Sequence, residues 1–116
     1  AIKIIPFNYD FKFDEEGIYK IEYSFDGYLT KCDYMFFGCN FLTNIDLSNF
    51  NTQNVTNMSQ MFGKCASLID IDLSKFNTQN ATDMTFMCWE CNSLIKKSII
   101  NLIEEEKNKK AGENIV

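Results

Sequence analysis

Cys88 and Cys91, separated by Trp89 and Glu90, are the arrangement in this chain best suited to chemistry. Two cysteines at that spacing serve thiol–disulfide exchange, or supply half of a zinc site. A zinc site needs two further soft ligands, and Cys32, Cys39 and Cys65 form no second pair of that kind. The chain also contains no histidine, so the commonest metal ligand, the commonest general base and every imidazole-dependent triad are excluded together. These residues point to no catalytic group, no metal and no cofactor.

A repeat gives the cysteines a plainer origin. Residues 61–86 repeat residues 35–60 with identity at 15 of 26 positions. In that register Cys91 stands where Cys39 and Cys65 stand, and Cys88 stands where Phe36 and Phe62 stand. The pair therefore reads as a core position changed from Phe to Cys, because buried Cys behaves as a small hydrophobe. Cys32, in the place of Met58 and Met84, reads as core too. Cysteines 39, 65 and 91 would form a column spaced by about 5 Å at strand spacing. Parallel side chains rarely meet disulfide geometry, so free buried thiols are expected.

The remaining candidates are polar. Asn44, Asp46 and Ser48 recur as Asp70, Asp72 and Ser74, an acidic stripe able to meet a cation or a basic partner. Trp89 replaces a glycine of the earlier unit and is either an exposed anchor, the residue type favoured at hot spots, or packed under a terminal helix. Asn54, Asn57 and Asn80 begin Asn-x-Ser/Thr triplets, acceptors for glycosylation in a eukaryotic secretory setting. The same residues belong to the repeat, where Asn and Thr serve turns and caps.

The elements that position these residues follow from periodicity. Phe7, Tyr9, Phe11 and Phe13 alternate with polar residues, as do Ile21, Tyr23 and Phe25, which predicts a hairpin over residues 5–25. Leu42, Ile45, Leu47 and Phe50 recur as Leu68, Ile71, Leu73 and Phe76, the spacing of a leucine-rich repeat with a short inward-facing strand. Val55, Met58, Met61, Phe62 and Cys65 fall at helical spacings, with Thr56 or Asn54 as cap. Residues 98–110 read as a terminal helix capped by Ser98, with Glu104, Glu105 and Glu106 facing Asn108, Lys109 and Lys110.

The unit resembles the repeat of BspA-type leucine-rich surface proteins, approximately MFxxCxSLxxLDLSxFxTxNVTxM. Met61-Phe62, Cys65, Leu68, Asp72-Leu73-Ser74 and Asn80-Ala81-Thr82 carry the likeness in register. It extends closely over residues 29–95. The resemblance implies a cell-surface or secreted location and a role in adhesion or in binding macromolecules, with no catalytic residue to carry over.

The expected fold is thus α/β: a short leucine-rich-repeat-like solenoid of about three coils with an N-terminal β-hairpin cap and a C-terminal helical cap. One domain spans residues 1–116, divided into a cap strand (1–17), a degenerate first coil (18–41), two further coils (42–67 and 68–93), and a cap helix with tail (94–116). The net charge of −5 and the absence of arginine exclude nucleic acid as partner. No stretch of 18 apolar residues predicts a transmembrane segment, and the first residue, Ala1, leaves room for a removed signal peptide or longer N-terminal region. The function expected is non-catalytic binding of a protein or other macromolecule. A structural subunit that self-assembles is the second reading, and a Cys-based metal or redox protein the third.

Overall fold

The computed structural model describes residues 2–6, 18–22, 29–47 and 50–115, with side chains described only in 29–47 and 50–109. Five elements lie in it: β1 (Ile2–Pro6), β2 (Ile18–Glu22), β3 (Asn44–Asp46), β4 (Asp70–Asp72) and one helix, α1 (Ser93–Ile115).

The strands form two separate two-stranded parallel sheets, β1 with β2 and β3 with β4. The leucine-rich-repeat-like solenoid of about three coils is therefore not what the chain builds. Three observations overturn it. β2, aligned with the strand half of a first coil, pairs with β1, Ile2 opposite Ile18 and Pro6 opposite Glu22. The pair is parallel, whereas a hairpin runs antiparallel, so no hairpin joins these two strands. The alternating residues 7–13 and 23–25 lie outside the described residues. The segments of helical periodicity are turns, because Tyr34, Gln60, Lys64, Phe86 and Glu90 all have φ between 53° and 59°, a conformation no right-handed helix admits.

What does join successive repeats is main-chain hydrogen bonding between three turn segments, residues 31–38, 57–64 and 83–90. Lys31 and Asp83 each bridge Asn57 in parallel. Amides of Cys32, Tyr34, Phe36 and Gly38 donate to carbonyls of Asn57, Ser59, Met61 and Gly63 at 2.8–3.0 Å. Those of Met58, Gln60, Phe62 and Lys64 donate in turn to Asp83, Thr85, Met87 and Trp89 at 2.6–3.0 Å. Each turn closes on itself through bonds such as Met61 N–H to Met58 O and Cys65 N–H to Phe62 O. Asn57 and Asp83 fix the turn entries by accepting both the amide and the hydroxyl of Ser59 and Thr85, at 2.7–3.0 Å.

The equivalent apolar residues then stack inward. Phe36 and Phe62 stack with nearly parallel rings, centroids 5.7 Å apart, and Phe76 tilts against Phe62. Met58, Met61, Phe62, Cys65 and Leu68 are fully buried. Replacement of Phe62 by Ala leaves a void the length of a ring at the centre of this stack, and is expected to lower unfolding free energy by about 3–5 kcal/mol in urea titration.

α1 starts five residues before Ser98. Asn92 accepts the Leu94 amide on Oδ1 at 2.8 Å and the Ile95 amide on its carbonyl at 3.1 Å, as a helix cap does. Ser98 sits inside the helix, its hydroxyl on the Leu94 carbonyl. Ile95 and Ile99 are buried in the core, with Leu102 and Ile103 packed against it. Glu106, expected to face Lys110, is buried instead. Its carboxylate accepts the Thr78 amide and hydroxyl. One repeat earlier, the Thr52 hydroxyl accepts the Asn77 amide at 2.7 Å and donates to the Asn77 carbonyl at 2.8 Å. Glu106 thus takes up at Thr78 donors that have no further repeat to meet. Glu106→Gln sets an amide donor against these donors and is expected to cost about 1–3 kcal/mol, read as a lower urea midpoint with unchanged slope.

Candidate functional site

β3 and β4 place one face of the repeat in solvent. Asn44 lies opposite Asp70, Ile45 opposite Ile71 and Asp46 opposite Asp72. Strand alternation sends Ile45 into the core while Asn44, Asp46, Asp70 and Asp72 stay exposed. Together with Ile71 and Leu73 they line an open, largely polar depression of about 480 Å³. The Asn44 amide reaches the Asp70 carboxylate at 3.5 Å. The Ser74 hydroxyl, with the Ser74 amide that donates to Asp72 at 2.9 Å, holds the Asp72 carboxyl below its usual range, against desolvation and the like charge of Asp46. The Asp72 carboxylate stands in a solvent-facing row with Asn44, Asp46 and Asp70. Ser48 lies outside the described residues. Among the described residues no group of three His, Cys, Asp or Glu is placed to hold a metal ion, so what this row offers is negative potential and hydrogen-bond acceptors for a basic surface.

All five cysteines are free. Cys65 and Cys91 donate their thiols to the carbonyls of Phe36 and Phe62 at 3.0 and 2.8 Å, and Cys32 donates to Met61 Sδ at 3.5 Å. Burial pushes Cys32 up to about 12 and Cys91 up to about 11, and raises Cys88 against the pull of Lys96. Cys65 is raised by its contact with Cys39 and by burial. The thiolate is the nucleophile and metal ligand, and these four environments favour the thiol, whereas the hydrogen bond with Cys65 lowers Cys39.

Of the glycosylation triplets, Asn57 is half-buried and spends its side-chain Oδ1 on Ser59. Asn80 is exposed, and its amide donates to the Gln53 carbonyl at 2.6 Å, a bond that a glycan on that nitrogen would disturb. Asn54 is half-buried.

Trp89 is 42% exposed and does not stand alone. Phe86 meets it edge-on at 6.2 Å, and the Lys64 ammonium lies 5.1 Å from the Trp89 ring and 6.0 Å from Phe37. Tyr34 meets Phe37 edge-on at 5.3 Å. Gly63 makes the arrangement possible, because a Cβ there would come within 2.8 Å of the Phe37 ring. The sequence signal for Tyr34, Phe37, Lys64 and Phe86 was available in the aligned repeats: aromatics stand at 34 and 86 around Gln60, and at 37 and 89 around Gly63. Exposure in adjacent turns brought them together.

A family described as "Mycoplasma protein of unknown function, DUF285" matches residues 7–111. The chain belongs to this family. No curated protein and no solved structure matches it. The matched residues take in β2, β3, β4, the three turns and most of α1. No helix among the described residues is long and apolar enough to cross a membrane.

The raised thiols set a pH dependence. A buried thiol keeps its proton in the folded chain while the unfolded one ionises near 9, so folding is favoured fully below pH 9 and loses support as pH rises towards 11 to 12. Urea midpoints measured from pH 8 to 11 are expected to fall, with a slope near 1.4 kcal/mol per pH unit per ionising thiol, and Cys32→Ala should flatten the fall. Alkylation at pH 8 should label the five cysteines in urea and largely spare Cys32, Cys65 and Cys91 in the native chain.

Proposed function

We propose that this chain is a non-catalytic binding module of a BspA-like surface or secreted protein, and that it engages a basic macromolecular partner through the β3–β4 face. The observation that carries the reading is the depression itself, in which Asp46, Asp70 and Asp72 stand beside Asn44 on one exposed side of a two-stranded sheet. Parallel pairing at a 26-residue offset sets Asn44 beside Asp70 and Asp46 beside Asp72 across the face. A partner surface carrying Lys or Arg meets a row of acceptors, which steers encounter and fixes register. Family membership and the BspA-like repeat support a surface role, and the lack of histidine in the chain supports binding over catalysis.

The test is capture of partners from the native source by the full chain, compared with a double variant, Asp46→Lys with Asp72→Lys. Both positions are exposed, so the variant should keep its circular dichroism spectrum. Loss of the captured partner supports recognition by this face, and capture that is unchanged excludes it. Binding by the wild type should also weaken as salt rises from 50 to 500 mM, since exposed charges are screened within about 10 Å at 0.1 M.

A further inference from the structure

The three turns set four exposed rings in a repeating pattern. Tyr34 and Phe37 meet edge-on at 5.3 Å and 63° in the first turn, and Phe86 and Trp89 meet in the same way at 6.2 Å and 66° in the third. All four are exposed. Between them the second turn carries no ring, since Gln60 and Gly63 stand at the equivalent positions. The Lys64 ammonium lies over Phe37 at 6.0 Å and over Trp89 at 5.1 Å, which joins the two pairs into one surface. Among the described residues no carboxylate forms an ion pair with this ammonium. The Gln60 Oε1 is closed off from water and has no hydrogen-bond partner. The middle of the surface thus holds a cation without a carboxylate and an acceptor without a donor.

We infer that this surface is a glycan-binding site, whose ligand is a β-linked pyranose chain in which an acidic sugar alternates with a neutral one. The turns are joined by main-chain hydrogen bonds as strands are, so successive turns lie ~4.8 Å apart, close to the advance of an extended β-linked chain per sugar. One sugar then falls on each turn. The two ring pairs, two turns apart, receive alternate sugars, which in an extended β-linked chain present the same face to the protein. The negative face of an aromatic ring takes the C–H face of a pyranose and leaves the sugar hydroxyls to solvent. The middle sugar meets the second turn, where its carboxylate reaches the Lys64 ammonium and a hydroxyl donates to the Gln60 amide oxygen. Charge sets the alternation. Asp33 adjoins Tyr34 in the first turn and Glu90 adjoins Trp89 in the third, so a carboxylate is favoured at the middle of the row and disfavoured at both ends. The site shares no residue with the acidic β3–β4 face.

Trp89 is the one tryptophan of the chain, so its fluorescence reads the site directly. A β-linked hexasaccharide of alternating glucuronate and N-acetylglucosamine, titrated into the full chain, should change that emission saturably. Two other hexamers, β-1,4-linked N-acetylglucosamine with no acid and β-1,4-linked mannuronate with an acid on every sugar, should bind about tenfold more weakly. Lys64→Gln should weaken the alternating hexasaccharide about tenfold and leave the N-acetylglucosamine hexamer unchanged. Tyr34→Asn removes a ring two turns from the reporter, at a left-handed position that Asn tolerates, and should weaken the alternating hexasaccharide about tenfold. Both variants should keep the circular dichroism spectrum, and the comparison of the three sugars on the wild type stands without either. No response to the alternating hexasaccharide overturns the inference, as does equal or tighter binding of either other hexamer, or an unchanged affinity in Tyr34→Asn. An emission change on dilution of the chain alone also overturns it, by naming a second copy as the occupant. The Asp46→Lys, Asp72→Lys double variant should still bind the alternating hexasaccharide, which keeps this result separate from the fate of the acidic face.

Discussion

The structure depends on hydrogen bonds between the backbones of consecutive turns. The amide groups of residues 32, 34, 36 and 38 reach carbonyls of the second turn, and those of 58, 60, 62 and 64 reach the third. This ladder sets the 26-residue register, and everything else inherits it: the stacking of Phe36 on Phe62, the thiols of Cys65 and Cys91 resting on carbonyls one turn back, and the short pairing of β3 with β4. A ladder made by turns carries a cost in backbone strain, since non-glycine residues with positive φ occupy equivalent places in successive turns. The mutual support of bonds and core packing holds them there.

A ladder must end, and the ending shapes the rest of the molecule. Residues 94–97 continue as helix where a further strand would fall, because Asn92 caps α1 and Ile95 and Ile99 find the core at helical spacing. The helix closes the apolar end of the stack and brings Glu106 over Thr78. A buried carboxylate is stable only when its oxygens are satisfied, and the amide and hydroxyl of Thr78 satisfy them. The helix covers the core more completely than it covers the turn edge, where Phe86, Trp89 and Glu90 remain exposed. An acidic strand face and a cluster of exposed aromatic rings about Lys64 result.

Much of the candidate site was legible before folding. Alternation along three-residue strands forces Asn44, Asp46, Asp70 and Asp72 to the side opposite Ile45, and strand geometry alone dictates that. The repeat register likewise assigned Cys65 and Cys91 to the interior, where both are found. The reading failed where a period admits two backbones. Apolar residues at spacings of three and four fit a helix or a tight series of turns, and the positive φ values that decide between them leave no mark on hydropathy. It failed too in strand direction, because alternation fixes which side is buried and says nothing about whether the neighbour runs parallel. Ile2–Pro6 and Ile18–Glu22 pair parallel, so no hairpin joins these two strands.

The sequence by itself determined the 26-residue unit, its interior residues, its acidic exposed positions and the absence of imidazole chemistry. These follow from residue type and spacing, which need no partner to be read. Only the tertiary structure decided that β1 pairs with β2 and β3 with β4 in separate parallel sheets, that Glu106 turns inward to Thr78, and that the Lys64 ammonium lies over the rings of Phe37 and Trp89. Those outcomes depend on which segments meet in space.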